Sequence, residues 1–413
     1  MKATDVAIIG GGIIGMACAL ALQRAGRRVT LVDAGEAGRG CSYGNAGLIA
    51  VDHILPLARP DVLMSAPGML ANPLGPLHLR LPALPALLPW LLRFALASRP
   101  GQVRKSTDIL ARLLREAVPA WWNLAKDAAA SGVFRNQGYI TLFETAKSAQ
   151  AAEKENRLLQ QYGIRFDTLS GLDIRAICPS LKPGMHSGRF HPDAIYTADP
   201  FALLQSLQRS FISEGGVVIE GRQVRQIQIE SGIAVGLQMQ DAALRAETIV
   251  LAAGNASAAL LRPLGVAVPL TSERGYHVMV ESDQAPLNIP LLFAERGFVA
   301  TPMATGLRLA GTVELGAKAP NWQRADILSR HAEQLFGLPG LVEQSRWFGD
   351  RPTLPDYLPV IGPMPGHGNV ILAFGHQHLG LTLAAITAAL VCDLATGQAP
   401  RLDISALSLS RFS

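Results

Sequence analysis

Cysteine is scarce: four in 413 residues, at Cys18, Cys41, Cys178 and Cys392. None forms a CxxC pair, and no Cys/His cluster has zinc spacing. That excludes a disulfide framework or a structural zinc, leaves no metal site to expect, and fits a reducing compartment. Charge is thin too, at 17% of residues with a formal net charge of +5. No Lys/Arg block reaches the length of a nucleic-acid patch, so no nucleic-acid partner is expected. No uncharged run of about 18–20 residues reads as a simple membrane span. No Ser/His/Asp constellation is recognisable. Lys2 before an apolar stretch imitates a signal sequence. That stretch is itself a glycine motif which cleavage would destroy, so a cleaved signal is not expected.

Apolar residues make up 49% of the chain, and the length suits two or three domain-sized units. The most informative segment is Val6–Ile9, then Gly10-Gly11-Gly12-Ile13-Ile14-Gly15, a small-residue helix, and Val29–Asp33. Strand, glycine turn, helix and second strand ending in an acid form a dinucleotide-binding layout. Gly10 permits the tight turn, Gly12 lets the backbone approach a pyrophosphate, and Gly15 lets the helix pack on the strand. The helix N-terminus offers N–H groups and a positive dipole end to phosphates. Asp33 lies where a carboxylate would bond an unphosphorylated ribose. The motif alone leaves FAD and NAD open.

Further along, Gly138–Phe143 reads as a strand, Ala146–Tyr162 as a helix, and Phe201–Glu214 as a helix capped by Asp199 with Pro200 at N1. Val217–Glu220, Gln223–Ile229, Ile233–Met239 and Thr248–Leu251 read as strands, the last opening through Ala252-Ala253-Gly254-Asn255 onto a helix at 256–261. Tyr276–Val280, Phe298–Pro302 and Leu307–Gly311 are short strands, and Ala325–Phe336 is a helix. Val370–Phe374 is a buried strand followed by Gly375–Thr382 and the apolar helix Leu383–Leu394. Nucleotide-fold elements thus stand at both ends of the chain. Residues 66–100 hold seven prolines between Leu-rich pieces, which forbids one continuous helix. They read first as irregular structure plus a short helix on the core, and second as a membrane-surface or quinone-facing element with Arg80, Arg93 and Arg99 at headgroups.

Four segments taken in order resemble the D-amino-acid oxidase superfamily of FAD enzymes, and within it the bacterial D-amino-acid dehydrogenases. They are Val6–Asp33, Gly40–Gly47, Glu273–His277, and Arg351–Gly362 completed by Gly375–Thr382. The wording of 375–382 and the proline-rich stretch are most similar to the branch that includes D-hydroxyproline dehydrogenases. The resemblance implies an α/β fold. A discontinuous, Rossmann-like FAD-binding domain (1–58, 145–270, 345–413) interleaves with an α+β substrate domain (59–144, 271–344) containing a mostly antiparallel sheet. It implies noncovalent FAD, since Thr353 and its neighbours supply no thiol. The implied cofactor residues begin with Gly10, Gly12, Ile13, Ile14, Gly15, Asp33 and Ala34. Cys41, Ser42, Asn45, Ala46, Gly47 and Leu48 would lie beneath the flavin, and Val224, Ala253 and Gly254 by the adenosine. Gly362, Gly375, Leu379, Gly380, Leu381 and Thr382 would wrap its pyrimidine end.

The same resemblance puts Arg351 on a substrate carboxylate, where guanidinium geometry fits. Tyr276 is a candidate second donor, and His378 and His53 are candidate pocket residues. The implied reaction is oxidation of a D-amino or D-imino acid at Cα, D-proline or hydroxy-D-proline favoured. Electrons would pass to a quinone or respiratory carrier, with the chain cytoplasmic or peripheral on the inner membrane face. Alternatives are an oxidase of glycine- or sarcosine-like amines using oxygen, the flavin subunit of a complex with partner subunits, and an NAD enzyme. Substrate choice is not legible, because the pocket is assembled from distant segments.

Overall fold

The computed structural model describes residues 3–72, 74–126, 128, 131–281, 286–337 and 340–412. Lys2 and Pro73 lie outside the described residues. The strand Thr4–Ile9 pairs in parallel with Val29–Val32 on one side and Ala243–Leu251 on the other, Val6 facing Val29 and Thr248. Val217–Ile219 extends this sheet beyond Val29–Val32, and His367–Phe374 pairs in parallel with Ala243–Leu251. The antiparallel strands Val224–Glu230 and Ile233–Met239 complete the other edge. The central strands are apolar on both faces because both faces are covered. Helices Ile13–Arg24 and Gly380–Ala395 share one core with Trp121, Leu207 and Phe211. With the turn before it, the second of these forms a segment, Gln377–Ala395, long and apolar enough to cross a bilayer, but most of it is buried inside the fold. Its first turn is fastened by the Trp121 indole, which donates to the Leu381 carbonyl at 2.9 Å.

A second, largely antiparallel sheet runs Glu343–Thr353, Thr271–Val280, Gly306–Leu315, Phe298–Met303, Leu291–Phe293, Tyr139–Phe143, Ser187–His191, Asp167–Ser170. The helix Gln323–Phe336 packs on it through Ala325, Leu328 and Ala332. Two expected boundaries shift. Residues 167–191, expected with the first unit, supply two strands to this second sheet, and residues 345–353 lie in one more.

The proline-rich stretch is more ordered than expected. Pro60–Ala71 and Leu84–Ala97 are both helices, each with Pro at its start. Pro67 and Pro89 stand inside them. Leu77–Leu79 between them pairs with Val313–Leu315. Packing on the core is slight. The first helix buries no residue, and the second buries only Leu87 and Trp90. Leu84, Leu88, Leu92 and Leu96 recur every four residues and form one exposed stripe.

Candidate active site

One cavity of about 1510 Å³ runs from the glycine turn of the first sheet to the strand Glu343–Thr353 of the second. Ordinary small-molecule pockets hold roughly 300–1,000 Å³, so this space suits a dinucleotide plus a small substrate. Of the residues read from sequence, all but Gly15, Gly47 and Gly362 line it. Gly15 packs against the Gly10 carbonyl, the close helix–strand approach expected of it. Gly47 is a turn glycine whose Cβ would lie 2.5 Å from the Thr197 carbonyl oxygen. Gly362 stands on the strand Val360–Met364 with φ of 147° and is not among the residues that line the cavity.

The nucleotide end is a backbone cradle. Gly10 has φ of 107°, and a Cβ there would stand 2.5 Å from the Ala252 carbonyl oxygen. Asp33 Oδ2 accepts from the Gly11 amide at 2.6 Å and Oδ1 from the Gly35 amide at 2.8 Å, so this carboxylate also holds the turn. Ser42 Oγ accepts from the Ile13 amide at 2.9 Å, which ties the loop 40–47 to the helix N-terminus.

The second sheet fastens that loop through groups the sequence reading passed over. Arg308 Nη1 donates to the Asn45 and Tyr43 carbonyls at 2.7 and 3.2 Å. Thr301 Oγ1 donates to the Ala46 carbonyl at 2.7 Å. His277 Nδ1 lies 3.3 Å from the Gly44 carbonyl. Burial, and then the Arg308 charge, push His277 down to about 3, so the neutral ring donates there. Burial lowers Arg308 to about 10, which leaves it charged at neutral pH. A charge inside the apolar run Leu307-Arg308-Leu309-Ala310 was the available signal, because a buried cation needs partners. Gly44 leaves room for the Trp347 ring, which stacks on His277 at 5.2 Å.

At the far end, Arg351 lies across the Thr271–Val280 strand. Its Nη1 donates to Glu273 Oε1 at 3.3 Å. Glu273 Oε2 accepts from Thr353 Oγ1 at 3.1 Å and the Tyr357 hydroxyl at 2.8 Å. The rest of the guanidinium makes no hydrogen bond among the described residues, and its side chain is 25% exposed, on the cavity wall. It fits there because residue 275 is glycine; a Cβ would stand 2.5 Å from Arg351 Cζ. Tyr276 also lines the cavity, but its hydroxyl proton goes to Glu314 Oε2 at 2.5 Å and its oxygen accepts from the Asn321 amide. Burial and that carboxylate push the phenol up to about 12. Its only proton is therefore committed, which corrects its expected role as a second carboxylate donor. The His378 ring stands 6.0 Å from Tyr357 and 5.9 Å from His53. Burial lowers it to about 3, with His53 and Arg351 acting in the same direction. His53 Nε2 lies 3.3 Å from the Tyr139 hydroxyl. Above this end, the Trp90 indole donates to the Thr353 carbonyl at 3.3 Å, and Phe94 meets Tyr357 edge-on.

Residues 5–394 match the model of the DAO family, FAD dependent oxidoreductase. The chain is 33% identical to a D-amino-acid oxidase of Bradyrhizobium diazoefficiens, over 98% of each chain. It is 28% identical to a D-amino acid dehydrogenase of Cereibacter sphaeroides, over 99% of this chain and 95% of that one. Among solved structures, glycine oxidase from Geobacillus kaustophilus superimposes with a TM-score of 0.80 over 100% of this chain and 99% of that one, at 21% identity.

Proposed function

From the premise that this chain belongs to the DAO family of FAD-dependent oxidoreductases, we propose that it dehydrogenates small D-amino or D-imino acids at Cα, with D-proline or hydroxy-D-proline preferred. The observation that carries this reading is Arg351, an under-bonded guanidinium on the wall of the cavity that begins at the glycine cradle. FAD, when bound, supplies a two-electron acceptor. The residues present fit it: Gly10, Gly12 and Asp33 line the cavity at the turn, where backbone amides would meet a pyrophosphate and the carboxylate a ribose, and the loop 40–47 is held by Arg308, Thr301 and His277. No cysteine adjoins Thr353 along the chain, in keeping with noncovalent binding.

In this reading Arg351 takes the substrate carboxylate on the donors that Glu273 leaves free, and so turns Cα toward the cofactor end. Glu273, with Thr353 and Tyr357, keeps the guanidinium in place. Trp90 and Phe94 roof the pocket with apolar surface, which favours a compact side chain or a pyrrolidine ring over a second charge.

For the electron acceptor we favour a quinone taken from the inner membrane face. The leucine stripe 84–88–92–96 lies on the helix whose other side carries Trp90 and Phe94, and Met64 and Leu81 are exposed nearby in sequence. Arg93 and Arg99 are exposed on the same segment. Oxygen as acceptor is the second reading, supported by the relative named an oxidase. A heteromeric complex would cover the stripe with a partner subunit instead. Steady peroxide release from the purified protein supports oxygen; rapid flavin reoxidation by a short-chain quinone with little peroxide supports the first reading. Activity only with an added subunit supports the third.

A further inference from the structure

An amino acid enters solution near neutral pH with its nitrogen protonated, and oxidation at Cα needs that nitrogen's lone pair. A proton must therefore leave inside the cavity. This inference rests on the amino-acid reading above and assigns the group that takes the proton. Glu273 is committed, both oxygens holding Arg351, Thr353 and Tyr357. Asp350 spends both oxygens on Arg274, at 2.8 and 2.9 Å. His378 is desolvated with no anion behind it, and His53 and Arg351 oppose its protonation. His53 differs, because a buried carboxylate stands behind it.

We propose that Asp52, acting through Tyr139, is a positioning residue that sets His53 to receive the proton of the substrate's ammonium group. Asp52 is 6% exposed, and its Oδ2 accepts from the Tyr139 hydroxyl at 2.6 Å. Since the Tyr139 proton goes to Asp52, the phenol oxygen is left to accept, and His53 must present Nε2–H to it across 3.3 Å. That fixes the tautomer: the lone pair is on Nδ1, which bonds nothing among the described residues, in a ring that lines the cavity. Tyr139 relays no proton of its own, as burial and then Asp52 hold the phenol well above its ordinary range. Burial would push Asp52 up, but the Tyr139 hydroxyl it accepts and the positively charged Arg189 nearby act the other way, and its carboxyl lies below the ordinary value.

The ionisable groups around His53 come from every side. Asp52 stands on its own loop and Tyr139 on the Tyr139–Phe143 strand. His191 and Arg189 lie on the adjoining strand, and His378, with Arg351 beyond it, across the cavity. His191 stacks on Tyr139 at 4.7 Å, and its Nε2 lies 3.4 Å from Asp52 Oδ2. Arg189 donates to that same nitrogen at 3.2 Å and is anchored by Glu155 and Asn156. Burial lowers His191 to about 4, so it stays neutral, and its Nε2, which accepts from Arg189, gives Asp52 no proton. Asp52 Oδ1 is buried without a partner, a costly arrangement for a carboxylate kept only for structure.

In the step itself, a substrate N–H bond breaks and an N–H bond forms at His53 Nδ1, with no change of oxidation state. The Cα–H bond then breaks with the hydrogen and its electron pair leaving together as hydride to the two-electron acceptor, and the freed nitrogen lone pair closes the C=N bond of an iminium. The imidazolium, stabilised through Tyr139 by Asp52, returns its proton to cavity water.

The test is the pH profile of kcat/KM for D-proline and D-alanine in FAD-loaded protein. Proton transfer to a positioned base contributes roughly 10²–10⁴-fold. His53→Gln is expected to lose about 10²-fold near neutral pH, with its acid limb moved up toward the amine's own ionisation, so the gap closes in alkali. Affinity for cyclopentanecarboxylate, which has no amine, should not change. Tyr139→Phe and Asp52→Asn should each lose about 10-fold with flavin content intact, and the double variant should lose no more than either. A wild-type profile in His53→Gln overturns the proposal. If that variant does not hold FAD, a wild-type profile in Tyr139→Phe overturns it equally. If neither amine bleaches the wild-type flavin, the amino-acid reading fails first and this proposal with it.

Discussion

Gly275→Ala should displace the carboxylate anchor without removing a charge. The strand Thr271–Val280 pairs on both sides, and Gly275 is not at a positive φ, so alanine suits the backbone. Its methyl would stand 2.5 Å from Arg351 Cζ and closer still to Nη2. The guanidinium is the free end of a flexible side chain, so it moves and the strand does not. Losing a hydrogen bond to a charged group costs about 1.5–3 kcal/mol. At 1.4 kcal/mol per factor of ten, KM for the amino acid should rise roughly 10–150-fold. Melting temperature and FAD content should hold, because no core contact is lost. The assay is steady-state reduction of an artificial acceptor, with flavin absorbance read on the same sample and Arg351→Met as reference. A KM for Gly275→Ala within about twofold of wild type, while Arg351→Met raises it, would refute the claim that Gly275 seats the arginine. No change in either variant would place the anchor elsewhere.

Arg308→Met should release the loop at Tyr43 and Asn45 and leave two half-buried carbonyls unpaired; FAD affinity, followed as retention through gel filtration, should fall roughly 5–150-fold, at about 1–3 kcal/mol for the unpaired groups. Leu88→Glu with Leu92→Glu should abolish co-sedimentation with anionic vesicles while sparing turnover with an artificial acceptor; unchanged sedimentation would remove the membrane reading. Stability should depend on acid in a defined window. His277, His376 and His378 are lowered to about 3 and His191 to about 4, each chiefly by burial. Unfolded imidazoles bind protons near 6.5, so the unfolded chain takes up protons first, and stability falls as pH drops from about 6.5 toward 4. Asp52, lowered from 3.8, acts only below that window. Melting temperatures that stay flat from pH 6.5 to 4 would contradict it.

The nucleotide half of the site was legible because its parts are local. Gly10 to Asp33 lie within 24 consecutive residues, and each glycine has a backbone reason to be there. The substrate half was not local. Arg351 was named through resemblance, yet the strand that carries it, Glu343–Thr353, went unread: Arg346, Gly349, Asp350, Arg351 and Pro352 break any period-two pattern. Its strand character comes from pairing with Thr271–Val280, about 75 residues away. Tyr276 shows the opposite error. Its position in the cavity was legible, but the direction of its proton was not, because Glu314 lies on a strand far along the chain. The same distance hid Asp52: its neighbours Tyr139 and His191 come from two later strands. Residues 66–100 misled for a further reason. Prolines at helix starts, as at Pro85 and Pro100, promote a helix rather than break it.

Oxidation of a D-amino acid at Cα in FAD-loaded protein is the central claim, and anaerobic mixing tests it without any assumption about the electron acceptor. D-proline, hydroxy-D-prolines and D-alanine should bleach the flavin, their L-enantiomers should not, and Arg351→Met should bleach only at far higher substrate concentration. A flavin that stays yellow with every D-amino and D-imino acid would contradict the account.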